Sequence, residues 1–569
     1  MLPTLVEQLA TDTTGVSLPA ARPEVALCAT IVAMLLSRLI PGVRRLDAFW
    51  IALAGVVTAA GLLVAEASGG LAAIERTELF TGLLVQDPLG VYARGLLLVF
   101  ALLFVPLVRI TGLANRHDGQ DLYTLVLGAL VGMCLMARAN HLVTVFIGIE
   151  MASVPSYVLA GIVKGRRRAG EAALKYSVYG AAAAGVMLYG VSLLAGVLGT
   201  AHLPTMGARA AALVASPGAD AAVAQLTVLA LGATLLLVGM AFKLSAAPFH
   251  FWAPDVFAGA PAEIGGFLST ASKAAALVLM VRLLAAAAPH NAMLAEDQTS
   301  SLAASVALVS TADSPAPSKP AAASNAAETG AAAATGDPIR RFLTVSLAMV
   351  AIATCTLGNL AAFGQKNAKR LLAYSTIAHA GYLLMPLAAA VRLAREDPTA
   401  ADAAVGAMLF YATGYLFLNL TAFAVVALVR NHRGTEQLDD YAGLGRSAPL
   451  AAGALAIAAL GLLGLPPLVG FFGKFAMLRS VVEASGPLMT ALLVTALLNT
   501  AASVFYYLRL VKLAVIERPN ANSAAVDRGP MPPLARTWLV VCGAPIVVLG
   551  LFPEVVASLA SAASSGLFR

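Results

Sequence analysis

Charged side chains stand inside stretches of this sequence that are otherwise apolar enough to cross a bilayer. Glu150 lies in the middle of HLVTVFIGIEMASVPSYVLAG, and Lys243 lies in LLLVGMAFKLSAAPFHFW. Lys273 is central in GGFLSTASKAAALVL, and Lys474 lies in LLGLPPLVGFFGKF. Lys175 is nearer to the end of its stretch, EAALKYSVYGA. A charge at the bilayer centre costs about 2.5–3.5 kcal/mol even on the mildest scale, so each of these side chains needs a partner or a function.

A carboxylate and several lysines at membrane depth, in separate helices, are typical of a proton path. Burial favours a neutral lysine and a nearby carboxylate favours a charged one, so a lysine whose partner moves away can release its proton. His250 and His379 can extend the path, although a lone histidine is more often a hydrogen-bonded structural residue. The structural alternatives are an ion pair between Glu150 and Lys243 and a Lys175 side chain that extends toward the membrane surface.

Prolines interrupt two of the stretches that carry lysines. Pro248 cannot donate a backbone hydrogen bond to the carbonyl four residues before it, next to the lysine of its stretch. Pro466 and Pro467 leave the carbonyls of Leu462 and Leu463 free, about two turns before the lysine of theirs. Paired broken helices at matching places in two halves of a chain are typical of transporters built from inverted repeats.

The composition predicts an integral membrane protein. The chain of 569 residues is 59% hydrophobic and 12% charged, with a mean hydropathy of +0.84, whereas a soluble domain carries about 25% charged residues. Apolar stretches of spanning length predict an all-α polytopic fold with about fourteen transmembrane helices, two inverted five-helix repeats and two proline-broken helices.

Basic residues gather in alternate loops, and the loops 164–168 and 366–370 are among the richest. The positive-inside rule places this set in the cytoplasm, so both termini are predicted to be periplasmic, which agrees with an even number of spans. The expected location is a bacterial inner membrane.

The chain divides into five predicted segments. Residues 288–340 are rich in Ala, Ser, Thr and Pro, and this composition predicts a disordered insert because it cannot bury enough apolar surface to fold. The other segments are three N-terminal helices (1–120), a first antiporter-like repeat (121–287), a second repeat (341–516) and a C-terminal segment with the last span (517–569).

Redox chemistry within this chain is not expected. The sequence has no GxGxxG motif, P-loop or HExxH motif, and its four cysteines are far apart with no CxxC spacing: Cys28, Cys134, Cys355 and Cys542. Neither a metal site nor a cofactor site is predicted. The net charge of +7 fits cytoplasmic loops on a membrane protein and does not require nucleic acid as a partner.

Several motifs resemble subunit N of respiratory NADH-quinone oxidoreductase, which is called complex I. They are GIEMASVPSYVLAG (148–161), EAALKYSVYGA (171–181), the long segment 239–279, LGNLAAFGQKNAKRLLAYSTIAHAGYLLM (357–385), LLGLPPLVGFFGKF (462–475), LNTAASVFYYLRL (498–510) and, more weakly, LVQDPLGVYAR (84–94). Subunits L and M and the Mrp-type cation/proton antiporters share the broken helices and buried lysines. PFHFWAPDVFAGAP is similar to subunit N rather than to those, and Lys474 differs from the glutamate typical of subunit M.

The resemblance implies roles for individual residues. Glu150 would pair with Lys243, Lys273 would be the central relay lysine, and Lys474 would serve the second half-channel. Lys175 matches a further lysine of the family.

The resemblance also implies an activity. The chain would translocate protons while partner subunits bind NADH, FMN, iron–sulfur clusters and quinone. The expected partners are the lipid bilayer and subunits M, K, J, A, H and L of the membrane arm. The alternatives are an Mrp-type Na⁺/H⁺ antiporter subunit, the equivalent subunit of a ferredoxin- or F420-dependent complex, and a purely structural membrane scaffold.

Overall fold

The computed structural model describes residues 10–39, 47–115, 119–215, 220–287, 338–519 and 531–568. Most of the predicted insert, 288–337, therefore lies outside the described residues. Its last three residues, 338–340, instead begin a helix. The helices are α1 (Arg22–Ser37), α2 (Ala48–Glu66), α3 (Pro88–Ile110), α4 (Gly119–Arg138), α5 (Leu142–Ala160), α6 (Arg167–Leu198), α7 (Leu203–Ala215), α8 (Asp220–Leu244), α9 (Trp252–Gly259), α10 (Ala262–Ser269), α11 (Ala271–Ala287), α12 (Pro338–Ala362), α13 (Ala368–Leu393), α14 (Pro398–Arg433), α15 (Pro449–Leu463), α16 (Val469–Ala484), α17 (Pro487–Val511), α18 (Pro533–Leu551) and α19 (Glu554–Ser564).

The all-α membrane class is confirmed. Twelve helical spans among the described residues are long and apolar enough to cross a membrane, with α10 and α11 counted together as one. A thirteenth is obtained if Ala10–Ala20 and α1, which meet at an angle of 82°, are taken as one bent span. The predicted span 450–482 is divided into α15 and α16, each of which is too short to cross alone. The described residues thus contain twelve or thirteen spanning helices, where about fourteen were predicted, and the broken span 450–482 is not among those counted.

The bundle has two kinds of helix. At least 89% of the residues in the apolar windows of α10–α11, α13 and α14 are buried, whereas 28% are buried in α6, α8 and α17. The first group therefore forms a protein-lined centre, and the second group presents apolar side chains outward, as expected for helices that face lipid.

A short antiparallel hairpin, β1 (Thr77–Leu79) and β2 (Leu84–Gln86), connects α2 to α3 and departs from the purely helical prediction. Its Glu78 is 2.8 Å from the Nε2 of His202 and accepts a hydrogen bond from Asn140. The hydrogen bond with His202 is the main cause that holds the pKa of the Glu78 carboxyl below its ordinary value, against the opposing effect of partial burial. We call this end of the bundle the hairpin end.

Buried arginines at the hairpin end join the N-terminal helices to one another. Arg94 of α3 is fully buried and contacts the carboxylates of Glu24 at 3.4 Å and Glu66 at 2.6 Å. Arg138 of α4 contacts Glu24 at 3.3 Å and donates to the Gln86 side chain at 2.8 Å. Because these groups begin or end four different helices, the cluster fixes the relative positions of α1 to α4.

A second buried pair joins α3 to α11. Asp87, the N-cap of α3, accepts two hydrogen bonds from the Arg282 guanidinium at 2.7 and 2.8 Å and one from the Gly90 N–H. Arg282 also donates to the carbonyl of Ala137 at 2.6 Å. This bidentate geometry is the strong form of an ion pair. It fixes the end of the helix that carries Lys273 against the N-terminal helices.

We expect Asp87→Ala to destabilise the chain by about 3–5 kcal/mol, because Arg282 would remain buried without its partner. Glu483→Ala is the control, since it breaks an exposed ion pair with Arg479 that is worth at most about 1 kcal/mol. The measurement is the thermal midpoint of the purified assembly and the amount of this chain it retains. Equal midpoints for the two variants would show that the Asp87–Arg282 pair does not hold the helices together.

Candidate functional site

Lys243 lies at the end of α8, and its Nζ donates to Ser153 Oγ of α5 at 2.9 Å. The side chain is buried, with 3% of the residue exposed. Glu150 stands one turn before Ser153 on α5. The described residues contain no ion pair within 4 Å between Glu150 and Lys243, and the hydrogen-bond acceptor of the lysine is the Ser153 hydroxyl.

The chain breaks directly after Lys243. Ser245 takes a left-handed conformation with φ of +56°, which ends α8 before Pro248 is reached. At this end the carbonyl of Phe242 accepts two hydrogen bonds, from the Ser245 N–H at 3.0 Å and from the indole N–H of Trp252 at 3.1 Å. The predicted break is present, but the helix ends earlier than the proline rule alone indicates.

Lys474 reaches back across the second break. Its Nζ donates to the carbonyls of Leu462 at 2.8 Å and Leu463 at 3.1 Å. These are the two carbonyls that Pro466 and Pro467 were expected to leave free. The lysine nitrogen also lies 4.8 Å from the centre of the Tyr382 ring, which is close enough for a cation–π contact.

The two breaks have the same construction. Each first half-helix ends at a left-handed residue, Ser245 in one case and Gly464 with φ of +93° in the other. Each break then packs against the first helix after its repeat. The N–H of Ala247 donates to Thr354 Oγ1 of α12 at 2.8 Å, and the backbone around Pro467 lies so close to Gly550 of α18 that a Cβ there would be 2.0 Å from a carbonyl oxygen. The lysines differ in position, because Lys243 precedes its break and Lys474 follows its own.

Lys273 lies beside a third interruption that the sequence did not reveal. Thr270 separates α10 from α11, and its hydroxyl donates back to the Gly266 carbonyl at 2.6 Å, a bond that often accompanies a bent helix. Lys273 is 3% exposed and donates to the carbonyl of Thr376 on α13 at 3.1 Å. No carboxylate among the described residues forms an ion pair with it, so the lysine contacts only neutral groups.

His379 is central to the polar groups between α13, α14 and α17. Its Nδ1 is 2.7 Å from the hydroxyl of Tyr411, and its Nε2 is 3.0 Å from the hydroxyl of Tyr507. The Tyr507 hydroxyl is in turn 2.5 Å from Ser375 Oγ. All four residues are fully or almost fully buried. Both ring nitrogens therefore belong to a hydrogen-bonded series of side chains inside the membrane.

The same series lies between two of the buried lysines. Lys273 donates to the carbonyl of Thr376, one turn before His379 on α13, and Lys474 lies over the ring of Tyr382, whose centroid is 5.8 Å from that of His379. On the Lys273 side, Asn419 of α14 donates to the hydroxyl of Tyr415 at 3.0 Å. On the Lys474 side is Tyr382, whose hydroxyl is 2.9 Å from Thr500 Oγ1 and 3.2 Å from the Ala496 carbonyl.

Two predicted site residues lie apart from this centre. Lys175 is 36% exposed in its side chain and contacts Glu171 and Asp255, each at 2.9 Å. Asp255 also lies 3.6 Å from Arg370 of α13, so it links the two repeats, and sequence reasoning did not single it out. His250 lies in the first break, half-buried, and its Nδ1 has no hydrogen-bond partner among the described residues.

The missed tyrosines had a signal in the sequence. Tyr411, Tyr415 and Asn419 recur every four residues in an otherwise apolar stretch, which places them on one face of α14. Ser375 and His379 have the same spacing on α13. Among the described residues, no group of three or more His, Cys, Asp or Glu side chains is arranged to hold a metal ion.

Known proteins share this arrangement. The family profile described as "NADH:quinone oxidoreductase/Mrp antiporter, TM" matches residues 139–312 and 330–499. NADH-quinone oxidoreductase subunit N 2 of Sorangium cellulosum is 35% identical over 518 residues, which cover 88% of this chain and 89% of that protein. This chain belongs to the subunit N family of NADH-quinone oxidoreductase. The structure titled "Respiratory complex I from Thermus thermophilus with bound Aureothin" has a chain that is 31% identical, with a TM-score of 0.67 and coverage of 95% of this chain and 99% of that one.

The fold of the subunit N family is also found in proteins with little sequence similarity to it. A chain of the Mrp complex from Dietzia sp. superposes with a TM-score of 0.73 over 97% of this chain and 98% of its own length, at 18% identity. That likeness shows a common fold alone. The 35% identity to the Sorangium protein over most of both chains is what decides the family.

We expect Tyr411→Phe and Tyr507→Phe to lower proton translocation per electron by at least about tenfold, because each removes a hydroxyl that touches His379. Tyr92→Phe is the control, since its hydroxyl bonds to Thr413 away from this series. Proton uptake by vesicles that contain the reconstituted complex is the measurement. Normal pumping by both variants would remove the histidine from the path.

Proposed function

We propose that this chain is the proton-translocating membrane subunit N of a respiratory NADH-quinone oxidoreductase. The observation that supports it best is the position of His379, whose ring bonds to two tyrosine hydroxyls and which lies close to Thr376 and Tyr382, the contacts of Lys273 and Lys474. Titratable side chains joined by hydroxyls inside a membrane are suited to proton transfer. Neither redox catalysis nor covalent catalysis is assigned to the chain.

The first part of the path is proposed to run from Glu150 to Lys243. Glu150 lies one turn from Ser153, which accepts the hydrogen bond of Lys243. A proton on the lysine is stabilised when the carboxylate is charged and is released when that carboxylate is neutral or distant. The break at Ser245 gives α8 a point at which its lysine-bearing end can move relative to α9.

The second part runs from Lys273 through His379 toward Lys474. The three hydrogen-bond acceptors of Lys273 and Lys474 among the described residues are backbone carbonyls, which accept from a charged lysine without adding a counter-charge. Each lysine can therefore give up its proton without leaving a carboxylate unpaired. Moving one charge across 100 mV costs about 2.3 kcal/mol, so the series must transfer protons without a parallel leak.

The partners and cofactors are proposed from the family. Partner subunits would bind NADH, FMN, iron–sulfur clusters and quinone, and membrane subunits M, K, J, A, H and L would complete the arm. The protein would lie in a bacterial inner membrane with both termini periplasmic. Lys175, with its exposed ion pairs at one end of α6, is proposed to support the path rather than to lie on it.

We expect Lys243→Ala and Lys273→Ala together to abolish most proton pumping per electron while the complex still assembles. Lys243→Arg should not restore it, because arginine remains charged and cannot release its proton. Glu150→Asp should be milder than Glu150→Ala, since it keeps the carboxylate. Lys512→Ala is the control, since its exposed pair with Glu517 lies outside the path. Normal pumping by the double variant would favour a structural role for both lysines.

The proposed orientation has its own test. A cysteine placed in the loop 164–168 should react with a membrane-impermeant reagent only from the cytoplasmic side, because this loop is rich in basic residues. A cysteine placed in 291–335 should react only from the periplasmic side. Labelling of both positions from the same side would exclude the fourteen-span arrangement.

A further inference from the structure

An apolar groove of about 350 Å³ lies between helices α6, α7, α8, α11 and α12. The described residues that line it carry aliphatic side chains, together with one phenylalanine, one glycine and one proline, and none of these lining residues is polar. Leu198, Met206, Leu229, Leu284 and Phe342 represent the five helices. The groove is open on one side and is not a closed cavity.

Water cannot fill this groove favourably. The volume corresponds to about ten water molecules, and the lining offers them no side-chain hydrogen-bond partner. A quinone head group would also lack donors there. The groove is bordered by α6 and α8, whose apolar windows are 28% buried, so it lies on the lipid-facing surface. The chemistry of the lining therefore selects a hydrocarbon chain.

Arginines border one end of the groove. Arg209 follows Met206 on α7 and donates to the carbonyl of Leu198, and both of those residues line the groove. Arg340 and Arg341 lie in the first turn of α12, between lining residues. In the proposed orientation these three arginines are at the periplasmic side, where basic residues are disfavoured. Guanidinium groups bind phosphate, and these arginines carry several donors each next to the apolar groove.

We propose that the groove binds one anionic phospholipid, with an acyl chain against α8 and α11 and the phosphate against the arginines. The bound chain would pack against the outer part of α8, the helix that ends at Lys243. The site is separate from the proton path and does not depend on the proposed function. An alternative occupant is the segment 291–335 of this chain, because Ala287 and Pro338, which flank 288–337, both line the groove.

The test uses the intact membrane complex that contains this chain, purified in mild detergent, delipidated and titrated with phosphatidylglycerol or phosphatidylcholine of the same acyl composition. Native mass spectrometry counts the bound lipids. Ala233→Trp places a large side chain in the groove, and Ala224→Trp on the exposed face of the same helix is the matched control. We expect Ala233→Trp to bind one phosphatidylglycerol fewer than the control.

The arginines are tested separately, in case the tryptophan prevents folding. Arg340→Gln with Arg341→Gln should weaken phosphatidylglycerol binding by about 30-fold and leave phosphatidylcholine binding unchanged. Arg395→Gln, an exposed arginine that does not border the groove, is the control. Three results would overturn the proposal: equal lipid counts for the two tryptophan variants, equal affinity of the native groove for the two lipids, or a cross-link from Ala233 to residues 291–335.

Discussion

The cost of placing a lysine in hydrocarbon is the constraint on which the arrangement of this protein depends. Lys243, Lys273 and Lys474 are each almost fully buried, and none has a carboxylate within ion-pair distance among the described residues. Their partners are a serine hydroxyl and backbone carbonyls. A carbonyl is free to accept from a lysine in a membrane only where a helix is broken or bent, or where it accepts a second bond. The second break supplies two such carbonyls to Lys474, whereas Lys243 and Lys273 take their acceptors from neighbouring helices.

In contrast to these lysines, the buried arginines of the bundle form ion pairs with carboxylates. Arg94, Arg138 and Arg282 are paired with carboxylates at the hairpin end, and arginine does not release its proton. These clusters hold helices in place without taking part in proton transfer. The molecule thus separates two uses of buried charge. Arginine–carboxylate pairs at the helix ends fix the geometry, and lysines with neutral partners at mid-depth remain able to change their charge.

The sequence predicts the site residues that are energetically unfavourable in an apolar stretch. It misses the residues whose role depends on contacts with distant parts of the chain. A lysine or a proline in an apolar stretch is visible because it violates the local pattern, which is why Lys474 and its two free carbonyls could be anticipated. Tyr411 and Tyr507 look like ordinary core aromatics until α13, α14 and α17 are brought together from distant parts of the chain. The exposure of Lys175 agrees with its position near the end of its stretch, but its partner Asp255, 80 residues away, could not be predicted. The hairpin has strands of three residues, too short for a pattern.

The histidine between two tyrosines has a consequence for the order of events. A neutral imidazole carries its proton on one nitrogen, so one of the two tyrosine hydroxyls accepts from the ring while the other donates to it. When a proton enters at one side and another leaves at the opposite side, the ring changes tautomer and the hydroxyls reverse their direction. The hydrogen bonds of the series then point the wrong way for a second proton to move in the same direction. The series must turn back, through rotation of the hydroxyls and return of the tautomer, before it conducts again. Such a series passes one proton at a time, and the directions of its hydrogen bonds record the direction of the last transfer. It therefore limits repeated transfer in one direction as well as conducting protons.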